Sequence, residues 1–528
     1  MSPRPQLKTD TLASGVAMLL ALTVAQRLVG FARGILFCRW LDVDQLGQWD
    51  LAYGFLMLAA PLVVLGLPGS LGRYAEYYRQ RGRLKPFLRR TGGGTGLFAL
   101  VAAAAVAWRR DWLAEVFFND RRQGAFVALL AVVLMTWIVH TLLVAVFNSL
   151  RMTRAVSLLQ FCNSLAFAAI GVALLVGFEA SARCVVWSFA AAATVSSCVG
   201  LAWLFTTWRR IQEEAAPLVD ARGEQHLAWR GGPGSSIWRQ VLPFAAWVWI
   251  TNALANTFGL ADRWMLIHFS GLSEPAAMEQ VGQYHSARVV SLLFLGVAEM
   301  IAGLATPHLA HDWEAGRREE VSQKMNLILK LLAMSLYAAS VGLLVASPLL
   351  FGLAWAGKYA TGIALLPWTL IYCAWGSLAV VATNYLWCAE RARLASLSLL
   401  SGLMVTVALN AWLLPTYGVF GTAWATTAAN FVMLALMYLS AWSCGMRFHC
   451  GTLIVAAAPV AIAGGPYPAV AVLAGLVVAA CRGNWLLTLD EQQTLAAAAK
   501  AAWRRCVGAG WAPPDLAETA VGDSQPTI

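Results

Sequence analysis

The chain has 528 residues, 59% of them hydrophobic and only 12% charged, with a mean hydropathy of +0.64. Soluble domains carry about 25% charged residues, so this composition excludes a soluble enzyme, a nucleic-acid-binding domain and a disordered chain. Apolar runs of about 20 residues, each long enough to cross a hydrocarbon core of about 30 Å, recur along nearly the whole length. The predicted class is an all-α polytopic membrane protein.

At the N-terminus, Arg4 and Lys8 precede an apolar run that continues past Arg27 to Phe37. That is too long for a cleaved signal peptide and reads as a retained first span. About fourteen transmembrane helices are predicted, near 12–38, 48–72, 88–107, 123–148, 155–177, 183–206, 240–267, 283–306, 327–350, 362–386, 395–414, 420–443, 451–465 and 467–481. The last two are short and contain Pro459, Pro466 and Pro468, a pattern that also fits one re-entrant hairpin. A polar stretch splits the first twelve spans into six and six. The expected organisation is an N-terminal six-helix bundle at 1–206, a cytoplasmic linker at 207–239 and a C-terminal six-helix bundle at 240–445. An additional helix pair at 446–482 and a cytoplasmic tail at 483–528 follow. In the tail, Thr488-x-x-Glu491 has the spacing of a capping box that opens a surface helix. Beyond Gly508 the sequence is polar and Pro-containing, as disordered ends are.

Lys and Arg favour cytoplasmic loops. With both termini placed inside, 26 of the 38 Lys and Arg fall on the inner side, 7 on the outer side and 5 within spans. The net charge of +11 therefore reads as loop bias, not as a nucleic-acid footprint. Trp108, Trp112, Trp208 and Trp238 sit where an interfacial aromatic belt is expected. Cys38, Cys162, Cys198, Cys373 and Cys388 lie inside apolar runs without metal or redox spacing, and are expected to pack as small core residues.

The two halves repeat each other. Gly47-Gln48-Trp49 opens the second span and Gly282-Gln283-Tyr284 opens the eighth. Arg27 precedes Gly47 by 20 residues, and Asp262 and Arg263 precede Gly282 by 20 and 19. Arg151-Met-Thr-Arg154 leads into span five as Arg391-Ala-Arg393 leads into span eleven. An even number of spans per copy makes the copies parallel, related by an axis along the membrane normal, an arrangement of transporters that rock two bundles about a midplane site.

With these motifs, Gly66-Leu-Pro68-Gly69, Arg73-Tyr-Ala-Glu76 and Gly418-Val-Phe-Gly421-Thr-Ala-Trp-Ala complete an ordered set. Over roughly residues 10–445 the sequence resembles the polysaccharide transporters, or O-antigen-type flippases, of the multidrug/oligosaccharidyl-lipid/polysaccharide exporter superfamily. The resemblance implies two six-helix bundles and export of an undecaprenyl-pyrophosphate-linked oligosaccharide across the bacterial cytoplasmic membrane. Many members of that family have twelve spans, so the extra pair is a departure. Lipid II flippases of the same superfamily have fourteen, and that reading stays open, as does a cation-coupled multidrug antiporter on the same architecture.

An ionisable residue at mid-membrane costs about 2.5–3.5 kcal/mol on insertion scales and normally faces a cavity or a partner. Five bases lie inside predicted spans (Arg27, Arg33, Arg263, Arg288 and Lys330), against two acids counted as comparably placed, Asp262 and Glu299. A surplus of bases suits an anionic cargo, and the arginine fork suits a phosphate. At 100° per residue, Asn252, Asn256 and Arg263 fall within about 40° of one another. Thr23, Arg27, Gly30 and Gly34 form one stripe on span one, with Gln26 and Arg33 beside it. The expected substrate-binding residues are Arg27, Arg33, Asn252, Asn256, Arg263 and Arg288, with Arg27, nearest mid-span, as first choice. Asp262 and Glu299 are the expected coupling acids for a proton or sodium ion. Lys330, one turn into span nine, is expected to snorkel to the interface. His140 is expected to be a hydrogen-bonded packing residue, and Asn384 to face inward. The basic run from Arg79 to Arg90 is expected to fix topology and touch anionic lipid.

Enzyme chemistry is not indicated. The outer loops are short, Asp220 and Asp312 are isolated rather than clustered for Mg²⁺, and no phosphate-binding Gly-x-x-x-x-Gly-Lys-Ser/Thr loop occurs. No cofactor is expected. The expected partners are a lipid-linked oligosaccharide and membrane lipids.

Overall fold

The computed structural model describes residues 12–65, 71, 75, 78–79, 83–208, 237–482, 486–488, 491–493 and 500, with side chains described from 21 in the first helix and from 249 in the helix that begins at 237. The Gly66–Gly69 motif, most of the 73–82 loop, the linker at 209–236 and the tail beyond 500 lie outside the described residues.

The described chain is helical throughout. The helices are α1 (Leu12–Trp40), α2 (Val43–Val63), α3 (Leu84–Trp108), the short α4 (Arg110–Phe118), α5 (Gly124–Ser149), α6 (Thr153–Gly177) and α7 (Ala182–Trp208). There follow α8 (Ile237–Phe269), α9 (Glu274–Glu314), α10 (Arg318–Leu349, extended by a π-turn to Ala354), α11 (Ala360–Cys388), α12 (Ala392–Tyr417) and α13 (Val419–Ser443). Last come α14 (Cys450–Ala457, continued as a 3₁₀ turn to Gly464) and α15 (Pro466–Arg482). Among the described residues, eleven helices are long and apolar enough to cross a membrane, and Cys450–Gly464 and Pro466–Ala480 are shorter apolar helices. This is a multi-pass membrane protein, since in hydrocarbon a helix satisfies its own backbone.

The helices sort into two sets by their packing. Among α1–α7, α6 lies against α1 and α7, and α5 against α3 and α7. Among α8–α13, α9 packs on α11, α11 on α13, and α12 on both α8 and α13. The sets meet chiefly where α2 packs against α8 and α9, and where α1 meets α9. The terminal helices α14 and α15 rest on α10 and α11.

The repeat is visible in the backbone. Arg151, between α5 and α6, and Glu390, between α11 and α12, both take left-handed conformations, with φ of 59° and 55°. Gly47 and Gly282 meet each other: a Cβ on Gly47 would lie 2.1 Å from the Met278 carbonyl oxygen, and one on Gly282 would lie 1.8 Å from that of Val43. Only glycine permits α2 and α9 to cross so closely. The repeated glutamines then pin equivalent helix starts. Gln48 Nε2 donates to Gln123 Oε1 (2.5 Å), just before α5, and Gln283 bonds Lys358 O and the Gly362 amide at the start of α11.

Several expectations change. The eighth span, expected at 283–306, is a 41-residue helix. Cys38 and Cys373 are buried, but Cys162 and Cys198 are exposed, because an apolar run in a membrane need not face the protein core. His140 is buried with Nδ1 2.9 Å from the Ser196 hydroxyl, and Asn384 donates to the Ala302 carbonyl at 2.9 Å.

Candidate transport site between the two helix sets

The chain is drawn together at the end where α1 stops and α2 begins. Around the Gly47–Gly282 crossing, Gln123 Nε2 reaches Glu274 Oε1 (3.0 Å) and the Trp264 indole donates to the Val116 carbonyl (2.6 Å). Tyr359 donates to the Cys38 carbonyl (2.8 Å), and Lys358 Nζ lies 3.3 Å from the Leu41 carbonyl. Each bond joins the first set to the second.

Directly beneath the crossing lies a buried ionic cluster. Asp50, on α2, holds three bases of the other set: Arg263 Nη1 at 2.8 Å, His285 Nδ1 at 2.9 Å and Arg288 Nη1 at 3.6 Å. Asp262 lies 3.5 Å from Arg263 Nε and accepts a 2.9 Å hydrogen bond from the Tyr284 hydroxyl. A further guanidinium nitrogen of Arg263 is held by the Gly259 carbonyl. The side chains of Asp50, Asp262 and Arg263 are no more than 7% exposed. Buried charges persist only when paired, and here the pairing spans both sets. Arg288 is incompletely satisfied, with Nε and Nη1 lacking hydrogen-bond partners. Asp50, which lies within the expected second span, is a third acid beside the two expected, so near the cavities Arg27, Arg33, Arg263 and Arg288 stand against Asp50, Asp262 and Glu299.

Below this cluster two cavities open, both lined by Leu292 of α9. The first, of about 350 Å³, is walled by α1, α2, α5, α6, α7 and α9, and is lined by Gln26, Arg27, Arg33, Tyr53, Asn163, Ser164 and His285 among aromatic rings. Trp49, Trp137, Phe167 and Phe189 form that aromatic wall. Arg33 lies over Phe167 with Cζ 4.0 Å from the ring centre, an arrangement that attracts a cation electrostatically. Among the described residues Arg33 has no carboxylate partner. The second cavity, of about 400 Å³, lies among α8, α9, α11, α12 and α13 and is more apolar, with Asp262, Arg288, Glu299 and Asn430 on its walls.

Where the cavities meet, Arg27 Nη2 of α1 pairs with Glu299 Oε2 of α9 at 3.1 Å, with the two side chains 48% and 61% exposed. Glu299 lies about 25 Å along α9 from Gly282 at 1.5 Å per residue, well below the closed end.

The structure thus brings Arg27, Arg33, Arg288, Asp262 and Glu299 to the cavity walls. Arg263 is enclosed in the ionic cluster. Asn252 and Asn256 are not on either wall: the cavity-facing stripe of α8 is Thr251, Ala255, Phe258 and Asp262, one residue out of step with the predicted one, and Asn256 donates back to the Asn252 carbonyl. Lys330 does not snorkel. Its ammonium is fully buried and bound by both carboxylate oxygens of Glu491, at 3.0 and 2.8 Å. The Thr488–Glu491 capping box is present, with the Thr488 amide on Glu491 Oε2 and the Glu491 amide on the Thr488 hydroxyl.

Residues 12–313 match the family described as polysaccharide biosynthesis protein. No curated protein matches the chain. Among solved structures, the fold is similar to the lipid II flippase MurJ in an inward closed conformation (TM-score 0.64, 11% identity, 88% of this chain and 98% of that one). It is also similar to a multidrug resistance MATE family transporter of the MOP superfamily in inward-facing form (0.58, 11%, 81% and 97%) and to one in outward-facing form (0.52, 13%, 81% and 93%).

Proposed function

The chain belongs to the polysaccharide biosynthesis protein family, with the fold of MOP-superfamily transporters, and from that premise we propose that it flips an undecaprenyl-pyrophosphate-linked oligosaccharide across the bacterial cytoplasmic membrane by alternating access. The observation that carries this reading is Arg33, a guanidinium inside a span with no carboxylate partner among the described residues, on the same cavity wall as Arg27. Two guanidiniums supply the paired, charge-assisted hydrogen bonds that a diphosphate takes. Gln26, Asn163 and the aromatic wall of the same cavity offer hydrogen bonds and stacking faces to the first sugars.

The Lys and Arg distribution supports an N-in, C-in orientation. On that orientation the Gly47–Gly282 crossing closes the outer end, and the cavities are loaded from the cytoplasmic side. Substrate release requires the Asp50 cluster and the hydrogen bonds around it to part as the N-terminal set (1–206) and the C-terminal set (240–445) rock. The polyprenyl tail would stay in the bilayer; an apolar groove of about 650 Å³ lined by Trp375, Phe431, Tyr438, Trp442 and Leu453, beside α14, offers it a surface. Asp262 and Glu299 remain the coupling candidates for a proton or sodium ion.

A second reading rests on the second cavity, which is apolar and bears Asp262 and Glu299, features suited to an organic cation. Mass spectrometry of the lipid extract from a strain lacking the gene separates these readings. A polyprenyl-diphosphate oligosaccharide should accumulate, and Arg33→Ala should fail to clear it. Accumulation of lipid II would reassign the cargo, and an unchanged lipid extract together with lost ethidium efflux would favour the antiporter.

A further inference from the structure

We propose that Glu299 is the resident counter-anion of the transport site: it occupies Arg27 in the empty carrier and yields that place to the diphosphate of the cargo. The inference rests on the transport reading above and adds to it what happens at the site when no cargo is bound.

Three features of the Arg27–Glu299 pair support it. First, the pair is accessible, with both side chains about half exposed where the two cavities join, whereas the Asp50 and Arg263 side chains are 4% and 7% exposed. Exposed pairs are weak because water screens them, so a doubly charged competitor can displace one partner. Second, Arg27 lies close against the backbone of α9. The Arg27 guanidinium rests against Gly296, one turn from Glu299: a Cβ there would fall 2.7 Å from Arg27 Cζ and Nη1 and would make the guanidinium shift. Third, Arg27 spends one hydrogen bond on Glu299, which leaves further N–H groups of its fork for phosphate oxygens.

Charge accounts for the exchange. A diphosphate diester carries two negative charges, and Arg27 and Arg33 carry two positive ones. With Glu299 on Arg27, the cavity is one positive charge short of matching the cargo; with Glu299 displaced, the match is complete. When the cargo leaves, Glu299 returns, and the empty carrier does not carry Arg27 uncompensated through a low-dielectric membrane. Because the pair links α1 to α9, binding and release also break and remake a contact between the two helix sets.

The test is a titration of the full-length protein in nanodiscs with undecaprenyl pyrophosphate, and in parallel with undecaprenyl phosphate, read by native mass spectrometry. Glu299→Gln and Glu299→Ala should both bind the pyrophosphate lipid about two- to fivefold tighter than wild type, the range expected for removing a competing exposed pair. Both should export less cargo in cells. Arg27→Gln should bind at least tenfold more weakly, and adding Glu299→Gln to it should change nothing further. Wild-type or weaker binding by both Glu299 variants, in protein of unchanged thermal midpoint, overturns the inference while leaving the transport reading intact. If wild type itself does not prefer the pyrophosphate lipid over the monophosphate lipid, the transport reading falls, and this inference with it.

Discussion

Of the ionic bridges that connect the helix sets of this transporter, two have opposite surroundings. At the closed end Asp50 is sealed among Arg263, His285 and Arg288; about 17–21 Å along α9 from Arg288 and His285, Arg27 and Glu299 face each other across an open junction of cavities. Chemically the two bridges are alike, a carboxylate with guanidinium. Burial makes the first a clasp, since a partner removed there leaves a charge in a medium that cannot solvate it. Access makes the second exchangeable, since water and cargo can replace either partner. The same residue types therefore hold a conformation in one place and read a ligand in the other.

The clasp should be the most costly to break. Asp50→Ala leaves Arg263 and Arg288 without their shared acid and should destabilise the protein by about 3–5 kcal/mol, read by unfolding in detergent. Spin labels at the exposed Asn119 and Leu272 should move apart in the same variant. Unchanged separation would mean that Asp50 does not hold the sets together. A third pair sharpens the comparison: Lys330–Glu491 is buried but joins α10 to the tail and does not bridge the two sets. Glu491→Ala should also cost about 3–5 kcal/mol, seen as faster hydrogen exchange in α14 and α15, with the label separation unaltered. Gly47→Ala acts on the close crossing rather than on charge. Its Cβ collides with the Met278 carbonyl, an overpacking worth about 1–3 kcal/mol, and the same labels should separate. Arg27→Ala should change stability by no more than about 1 kcal/mol and still abolish export, measured by cargo accumulation. A large loss of stability would move Arg27 into the class of Asp50.

The smallest effect concerns His449, just outside the membrane-spanning helices. Its Nδ1 accepts the Gly451 amide at the start of α14, and burial, with Lys330 nearby, holds its pKa below the ordinary 6.5. A lowered folded value means that the folded state resists protonation. The stability it lends is present above pH 6.5 and is lost as pH falls below that value. Hydrogen exchange in residues 450–464 should therefore quicken from pH 7.5 to 5.5, after correction for intrinsic rates. His449→Asn, which keeps a capping acceptor without titrating, should not show the change.

The spans were legible because a bilayer demands long apolar runs, and hydropathy measures just that. Their ends were not. α9 runs nine residues ahead of its predicted start and eight beyond its predicted end, since helical hydrogen bonding continues where lipid contact stops. Arg27 could be found because it stands mid-span on a glycine-bearing stripe, and Arg33 because it is a base within the same span on the stripe beside it. The clasp could not: Asp50 lies within the predicted second span, but its partners sit more than 200 residues away on other helices. Lys330 was misjudged for the same reason, its acid lying 161 residues on in the tail. The α8 asparagines share an azimuth, but azimuth within one helix does not say which stripe its neighbours leave open.

The most direct measurement places a photoreactive benzoylphenylalanine at Leu293, on the wall of the cavity that holds Arg27 and Arg33, irradiates cells, and identifies the adduct by mass spectrometry. A polyprenyl-diphosphate oligosaccharide adduct that disappears in the Arg27→Ala/Arg33→Ala double variant is the predicted result. The same adduct at equal yield without the two arginines, or none in the wild-type background, would contradict the assignment of this cavity to the diphosphate.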